Sequence, residues 1–328
     1  MNKFCIIGFG KLGLLHACIT NKYKNYKLSL IIEKNFWIRI FLRFILKNVT
    51  IAKNLSKKKL ANIKLVIIAT QPSQTGNILY QLKNCYYKNK ILIEKPSFIS
   101  LQDFYNNKYL LNFFTEIKIG YMYRENEIFT HLKKIINKKI YGNPIKISAY
   151  VFSYQPLNEN KTWRKDKKEI GGGAVMLQGT HMIDLLLYIF SNIYYVKSKN
   201  YYSKDRLEYK SIALFKTENN SKIELEINSK KKGVRKMSIG MKVFFKKYLI
   251  EADDESIKIF KKKKLIFENY KNQISKSCFF EIGDSSYSKQ LNNFLKRKNN
   301  KINEIRMLEK NLNLINKIYN NGNNFRSQ

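Results

Sequence analysis

Two residues of this chain sit where proton chemistry is expected. One is His181, in the stretch GGGAVMLQGTHMID from Gly171 to Asp184. Helical spacing puts it on one face with Leu177, a turn earlier. An imidazole exchanges a proton with an alcohol or a carbonyl near neutral pH. A leucine beside it dries the surroundings but can neither orient the ring nor stabilise its charged form. The other is Lys95, in ILIEKP. Pro96 holds the preceding residue extended, at the end of the apolar run Ile91 to Ile93. A lysine partly withdrawn from water is an acid/base candidate, because burial disfavours the ammonium form.

The elements that must hold these residues begin at the N-terminus. KFCIIGFGKLGLLHACI reads as a short strand, a Gly8-x-Gly10-x-x-Gly13 turn and an apolar helix. In such a turn the glycines permit the tight bend, the approach of a pyrophosphate and the packing of helix on strand. The first helical amides then face the phosphates. Gly8, Phe9, Gly10, Lys11, Leu12 and Gly13 are therefore expected at a dinucleotide. A second strand, KLSLIIE, ends on Glu33, twenty residues after Gly13. An acid there accepts hydrogen bonds from a ribose and repels a 2′-phosphate, which favours NAD without excluding NADP; Lys34 alongside softens that preference. FWIRIFLRFILK reads as a helix, VTIA as a short strand and LVIIAT as a buried parallel strand. Thr70, Gln71 and Pro72 leave the carboxyl end of that strand, where ligands sit in open α/β sheets. A helix from about Gly76 to Lys83 leads to the strand before Glu94 and Lys95. This alternation predicts a doubly wound parallel sheet.

After about residue 143 the pattern changes to alternating strand-like runs: IKISAYVF, YKSIALFKT, SKIELEIN, KMSIGMKVFF, KYLIEA and SIKIF. Polar turns separate them, and the lysines at 261–264 read as one such turn. Ile302, Ile305, Leu308, Leu312 and Ile315 give the tail a helical period. At 328 residues the chain is long enough for two domains with real cores.

Charge is the largest departure from the ordinary: 62 Lys and Arg against 24 Asp and Glu, formally +38. Lysine is scattered through every segment beside Asn, Ile, Tyr and Phe, as an AT-rich coding sequence would give. No nucleic-acid motif accompanies it, so specific nucleic-acid binding is not expected, only salt-dependent adhesion to polyanions. Cys5, Cys18, Cys85 and Cys278 lack paired or metal-type spacing and read as thiols of a reducing compartment. Lys11 and His16 interrupt the first apolar run, against a secretion signal. No stretch approaches a membrane span; FWIRIFLRFIL is short and carries Arg39 and Arg43. The expectation is a soluble cytoplasmic protein with no membrane partner. His16 and His131 read as packing and helix-surface residues, and no metal is expected.

Taken in order, GFGKLG, IIE, VIIATQP, LIEKP, GYMYRENEIFTHLKKIINKKIYGNPIKI, WRKD and GGGAVMLQGTHMIDLL resemble the glucose-fructose oxidoreductase / inositol dehydrogenase / MocA-like family. The resemblance covers most of the chain, including the late helix YSKQLNNFLKRKNN, similar to that family's closing substrate-domain helix. It implies an N-terminal Rossmann domain over residues 1–118. It also implies a substrate-binding and oligomerisation α/β domain over 119–328, with a large, mostly antiparallel open sheet. A homodimer or homotetramer would form through that sheet, and the C-terminal helix would pack back on the first domain.

The family's catalytic set is the lysine of E-K-P with an aspartate and, four residues on, a histidine. Lys95 and His181 match; the aspartate falls on Leu177, and a second family histidine after the ATP-like loop is missing. Tyr123, Arg124, Trp163, Arg164 and Gln178 lie in segments that line the family's substrate pocket. The expected activity is NAD(P)-dependent hydride transfer to or from a sugar, a sugar derivative or another small alcohol, ketone or imine, with an altered acid/base set. The competing expectation is a cofactor-binding, non-catalytic member acting as sensor, partner or scaffold.

Overall fold

The structure is a computed structural model and describes residues 1–20, 22–23, 25–154, 163, 166–204, 206–234, 236–271 and 285–326. Its chain forms two compact units: Met1–Gly120 with the described part of Ser275–Arg306, and Tyr121–Ile274 with Met307–Gln328.

The first unit is built on six parallel strands: β1 (Asn2–Ile7), β2 (Tyr26–Ile32), β3 (Thr50–Ala52), β4 (Ile63–Ile68), β5 (Lys90–Ile93) and β6 (Ile117–Ile119). Their order is β3-β2-β1-β4-β5-β6. That is the doubly wound order, with its switch point between β1 and β4. The central strands are apolar on both faces because both faces are covered; Phe4, Cys5, Ile6, Leu65, Val66, Ile67, Ile91, Leu92 and Ile93 are fully buried. The crossovers carry α1 (Lys11–Thr20), α2 (Phe36–Ile45), α3 (Lys57–Leu60), α4 (Thr75–Asn84) and α5 (Leu101–Leu111). Side-chain caps start several of them: Asn35 accepts from the Ile38 amide, and Ser100 from that of Asp103.

The second unit opens with α6 (Glu127–Asn137), capped by Asn126. Its sheet has nine strands: β7 (Lys146–Phe152), β8 (Ile193–Tyr202), β9 (Glu208–Thr217), β10 (Lys222–Asn228), β11 (Ser238–Phe244), β12 (Tyr248–Asp253), β13 (Ser256–Lys261), β14 (Lys264–Tyr270) and β15 (Asn323–Arg326). The order is β14-β13-β12-β11-β7-β10-β9-β8-β15, antiparallel except at β7/β10 and β8/β15. Strand β7 shows the alternation of a half-buried strand, with Ile147, Ala149 and Val151 inward. Lys262 and Lys263 take left-handed backbone in the tight turn between β13 and β14. The short helix α7 (Lys167–Ile170) ends on Gly171 at φ +78°, and after the glycines comes α8 (Thr180–Phe190). The combined run Lys167–Phe190 is, contrary to expectation, long and apolar enough for a span, but 83% of its most apolar window is buried as core.

Two late helices, α9 (Ser285–Lys296) and α10 (Lys301–Asn320), precede the last strand β15. Helix α9, assigned from sequence to the second domain, packs in the first unit. Gln290 donates to the Ile119 carbonyl, and the Tyr23 hydroxyl donates to the Ser288 carbonyl. The first turn of α10 also joins that unit through the buried Lys118–Glu304 pair, whereas Met307 onward belongs to the second.

Candidate active site

At the carboxyl edge of the parallel sheet the chain leaves β1 through Gly8, at φ +86°. A Cβ on Gly8 would stand 2.7 Å from Thr70 Cγ2, and one on Gly13 only 2.3 Å from the Gly8 carbonyl oxygen. These two glycines thus bring β1, β4 and α1 together. Gly10 differs: a Cβ there meets nothing within 4 Å, and the residue is exposed. Its missing side chain leaves room for a ligand rather than for protein. The first α-helical bond runs from the Leu14 amide to the Gly10 carbonyl, so the amides of Lys11, Leu12 and Gly13 lie outside the helix's own ladder.

The Glu33 carboxylate, at the end of β2, reaches this turn. It accepts from the Phe9 amide at 2.8 Å and from the Asn35 amide at 2.9 Å, with further lone pairs left for a ribose hydroxyl. Lys34 points elsewhere, its Nζ donating to Gln74 Oε1 at 2.9 Å. Past β4, Thr70 Oγ1 is buried with no hydrogen-bond partner, beside Gly8. Gln71 is half-buried and Pro72 opens a short 3-10 turn. An open glycine, three amides at a helix start, a reachable carboxylate and an orphaned hydroxyl fit a dinucleotide of the NAD type.

Glu94 and Lys95 follow β5 directly. Glu94 is buried: its Oε1 lies 2.6 Å from His16 Nε2, while its Oε2 has no hydrogen-bond partner and occupies the space a side chain at Gly120 would need. His16 therefore does more than pack, since it holds the carboxylate next to Lys95. Tyr287 lies edge-on to the imidazole. Lys95 is half-buried and joined to Pro96 by a cis peptide.

The second unit positions His181. Between α7 and α8 the chain makes a π-helical turn, Val175–Gly179. The spacing from Leu177 to His181 is therefore not that of the continuous α-helix expected from sequence. Such turns are wider than α turns and are frequent at functional sites. Leu177 is half-buried, and His181 is 4% exposed with its ring edge-to-face against Tyr123 at 5.2 Å. Gln178 Nε2 donates to Ser153 Oγ at 2.6 Å, and its Oε1 is buried without a hydrogen-bond partner. The backbone around the histidine is locked by Asn311, whose side chain donates to the Thr180 carbonyl and accepts from the Thr180 hydroxyl.

Arg124 is spent on protein. It is 7% exposed, its Nε donates to Asp184 Oδ2 at 2.8 Å, and its Nη2 pairs with the other carboxylate oxygen. Trp163 is half-buried, its carbonyl accepting the Asp166 amide. Arg164 and Cys278 lie outside the described residues. Among the described residues no three His, Cys, Asp or Glu side chains gather as metal ligands would.

Glu208 is a residue that sequence reading missed. Its buried carboxylate accepts from the Gly173 and Val175 amides and from the Tyr319 hydroxyl. It thereby fixes the start of the turn that leads to His181. Close packing explains the neighbouring glycines: a Cβ on Gly172 would stand 2.0 Å from the Tyr319 oxygen. Burial pushes the Glu208 carboxyl above the usual carboxylate range, against these hydrogen bonds. With the folded value above the unfolded one, its contribution is fully present below the unfolded pKa and is lost as pH rises through the folded value. Glu208→Gln should accordingly flatten the fall in stability from acid toward neutral pH, measured as unfolding midpoints across that range. Glu208→Ala should be worse at every pH, since each stranded buried donor costs about 1–3 kcal/mol.

Comparison with known proteins gives the same picture. Residues 129–247 match the family model of the GFO/IDH/MocA C-terminal domain. No curated protein matches the sequence. Among solved structures, KijD10, a 3-ketoreductase from Actinomadura kijaniata in complex with NADP and TDP-benzene, superposes with a TM-score of 0.81 at 9% identity, over 100% of this chain and 99% of that one. Levoglucosan dehydrogenase in complex with NADH gives 0.78 at 13% identity over 98% of each chain. An NAD-binding oxidoreductase from Klebsiella pneumoniae gives 0.79 at 12% identity, over 97% of this chain and 96% of that one. The resemblance drawn from the sequence motifs is borne out: residues 129–247 match the C-terminal domain of the GFO/IDH/MocA family, and the whole chain, with its Rossmann-type unit, shares the fold of these solved oxidoreductases.

Proposed function

We propose that the protein is an NAD(P)-dependent oxidoreductase that moves hydride between the nicotinamide and a sugar, a sugar derivative or another small alcohol or ketone. The observation that carries this reading is the glycine turn, where Gly8 and Gly13 are closed by protein and Gly10 alone is open. The solved relatives of like fold, a 3-ketoreductase holding NADP and a levoglucosan dehydrogenase holding NADH, support the same class. When bound, the cofactor supplies or takes up the hydride. The Lys11, Leu12 and Gly13 amides hold its phosphates and Glu33 a ribose. His181 carries the proton at the substrate oxygen, its ring held by Tyr123, and Lys95 is the second proton carrier. The bare Gln178 Oε1 takes a substrate hydroxyl, and Trp163 and Arg164 complete substrate binding. With leucine at 177, the acid/base work falls on His181 and Lys95 without the usual carboxylate. We place the protein in the cytoplasm, as a homodimer or homotetramer formed through the nine-stranded sheet.

Glu33 makes NAD the preferred form, since a carboxylate beside the ribose repels a 2′-phosphate. Glu33→Ser should weaken NADH binding roughly tenfold, the scale of a lost charge-assisted hydrogen bond, and narrow or reverse the preference over NADPH in a titration of intrinsic fluorescence. The activity itself is tested by following nicotinamide absorbance with NADH and keto sugars and with NAD and their alcohols. Turnover with one of these is expected. Cofactor binding without turnover on any of them would favour the second reading, a non-catalytic member, which the half-buried Leu177 supports.

A further inference from the structure

Helix α2 turns its apolar face outward. At about 100° per residue, Phe36, Ile40, Phe44, Trp37, Phe41 and Ile45 fill one continuous half of the helix. All six are exposed, Trp37 at 76%, Phe41 at 62% and Phe44 at 84%. Only Leu42 is buried. The polar residues run the other way: the Arg39 guanidinium donates to the Glu33 and Lys34 carbonyls, and that of Arg43 to the Ile51 carbonyl. Both arginines thus tie the helix to the β2–β3 edge. The four aromatic side chains alone leave on the order of 500 Å² open, the size at which an apolar patch marks an interaction site.

The surrounding charge identifies the occupant. From Lys34 to Ile93 the chain contains no aspartate or glutamate. Exposed lysines stand at the start of the helix (Lys34), just past its end (Lys47), after β3 (Lys53) and on α3 (Lys57, Lys58, Lys59). A second copy packed crest to crest would set these exposed lysines against their own equivalents. An aromatic and aliphatic crest bordered by lysines, its one sequence-adjacent acid, Glu33, taken up by the Phe9 and Asn35 amides, is instead matched by a surface that is apolar beneath and anionic on top. We propose that α2 seats the protein on anionic lipid bilayers. Its crest enters the boundary between headgroups and acyl chains, and the lysines lie against lipid phosphates. This is attachment to a surface, not a span, and it revises the sequence-based expectation of no membrane partner. A single short helix makes the attachment weak and reversible.

The test floats the full chain with vesicles of phosphatidylglycerol and phosphatidylcholine in equal parts, and with phosphatidylcholine alone. A Trp163→Phe background leaves Trp37 the sole tryptophan of the two in the chain. Expected are flotation with the anionic vesicles only, a blue shift of Trp37 emission, and at least tenfold weaker flotation for Phe41→Ser/Phe44→Ser with an unchanged unfolding midpoint. Both phenylalanines lie outside the core, so folding is spared. Equal flotation of the double variant, or no shift of Trp37, would overturn the proposal in favour of adhesion by charge alone. Absence of flotation would overturn it as well. A dimer that the double variant dissolves would assign the face to a second copy, and binding of single-stranded RNA in place of vesicles would assign it to nucleic acid.

Discussion

His181→Ala should lower turnover by about a hundredfold or more while leaving the NADH-induced rise in unfolding temperature intact. A positioned general acid or base is worth about 10²–10⁴ in rate, and here no carboxylate at 177 shares the work. The imidazole is buried, held by Tyr123 and set on backbone locked by Asn311. Its loss removes the proposed proton carrier and leaves the glycine turn of the other unit untouched. The check pairs a steady-state assay with thermal unfolding on the same preparations. Full activity in the variant would remove His181 from the chemistry. Leu177→Asp should, in contrast, raise the rate wherever proton transfer limits it, because a carboxylate can then orient and stabilise the imidazolium.

The second large effect is on stability. Asp184→Ala should cost about 3–5 kcal/mol, because it leaves the Arg124 guanidinium buried without its counter-ion. For a chain of this size that lowers the unfolding midpoint by roughly ten degrees. Arg124→Met with Asp184→Leu should recover most of the loss, since removing both charges also removes the desolvation penalty. Arg124→Lys should itself lose stability, as an ammonium cannot reproduce the two-point contact of Nε and Nη2. Thermal unfolding of the three variants beside the parent separates these outcomes. If Asp184→Ala unfolded like the parent, the pair would not be a structural tie.

Much of the fold was legible because burial on both faces writes itself as uninterrupted Ile, Leu and Val in β1, β4 and β5. The half-buried strands β7, β9, β10 and β11 show in their alternation. Strand β8 was not legible, because its inward residues include Ser198 and Asn200, which donate to the Ile318 carbonyl instead of packing against apolar neighbours. Strand β14 is exposed along its whole length and so has no alternation to read. In the candidate site, Gly8, Gly10, Gly13, Glu33, Lys95 and His181 announce themselves by spacing. Arg124 does not disclose that it is spent on Asp184, nor His16 that it pairs with Glu94, 78 residues away. Such partners are chosen by the fold. The π turn before His181 was equally hidden, because a wider turn leaves no composition signal in an apolar run.

The measurement that bears most directly on the account is thermal unfolding with and without saturating NADH, and again with NADPH. A ligand at about a hundred times its dissociation constant stabilises the folded chain by about 2.7 kcal/mol, a rise of several degrees at this length. The account predicts such a rise with NADH, larger than with NADPH. It further predicts that placing a large side chain in the open space, as in Gly10→Phe, abolishes the rise without lowering the midpoint of the unliganded protein. No rise with either cofactor would contradict it.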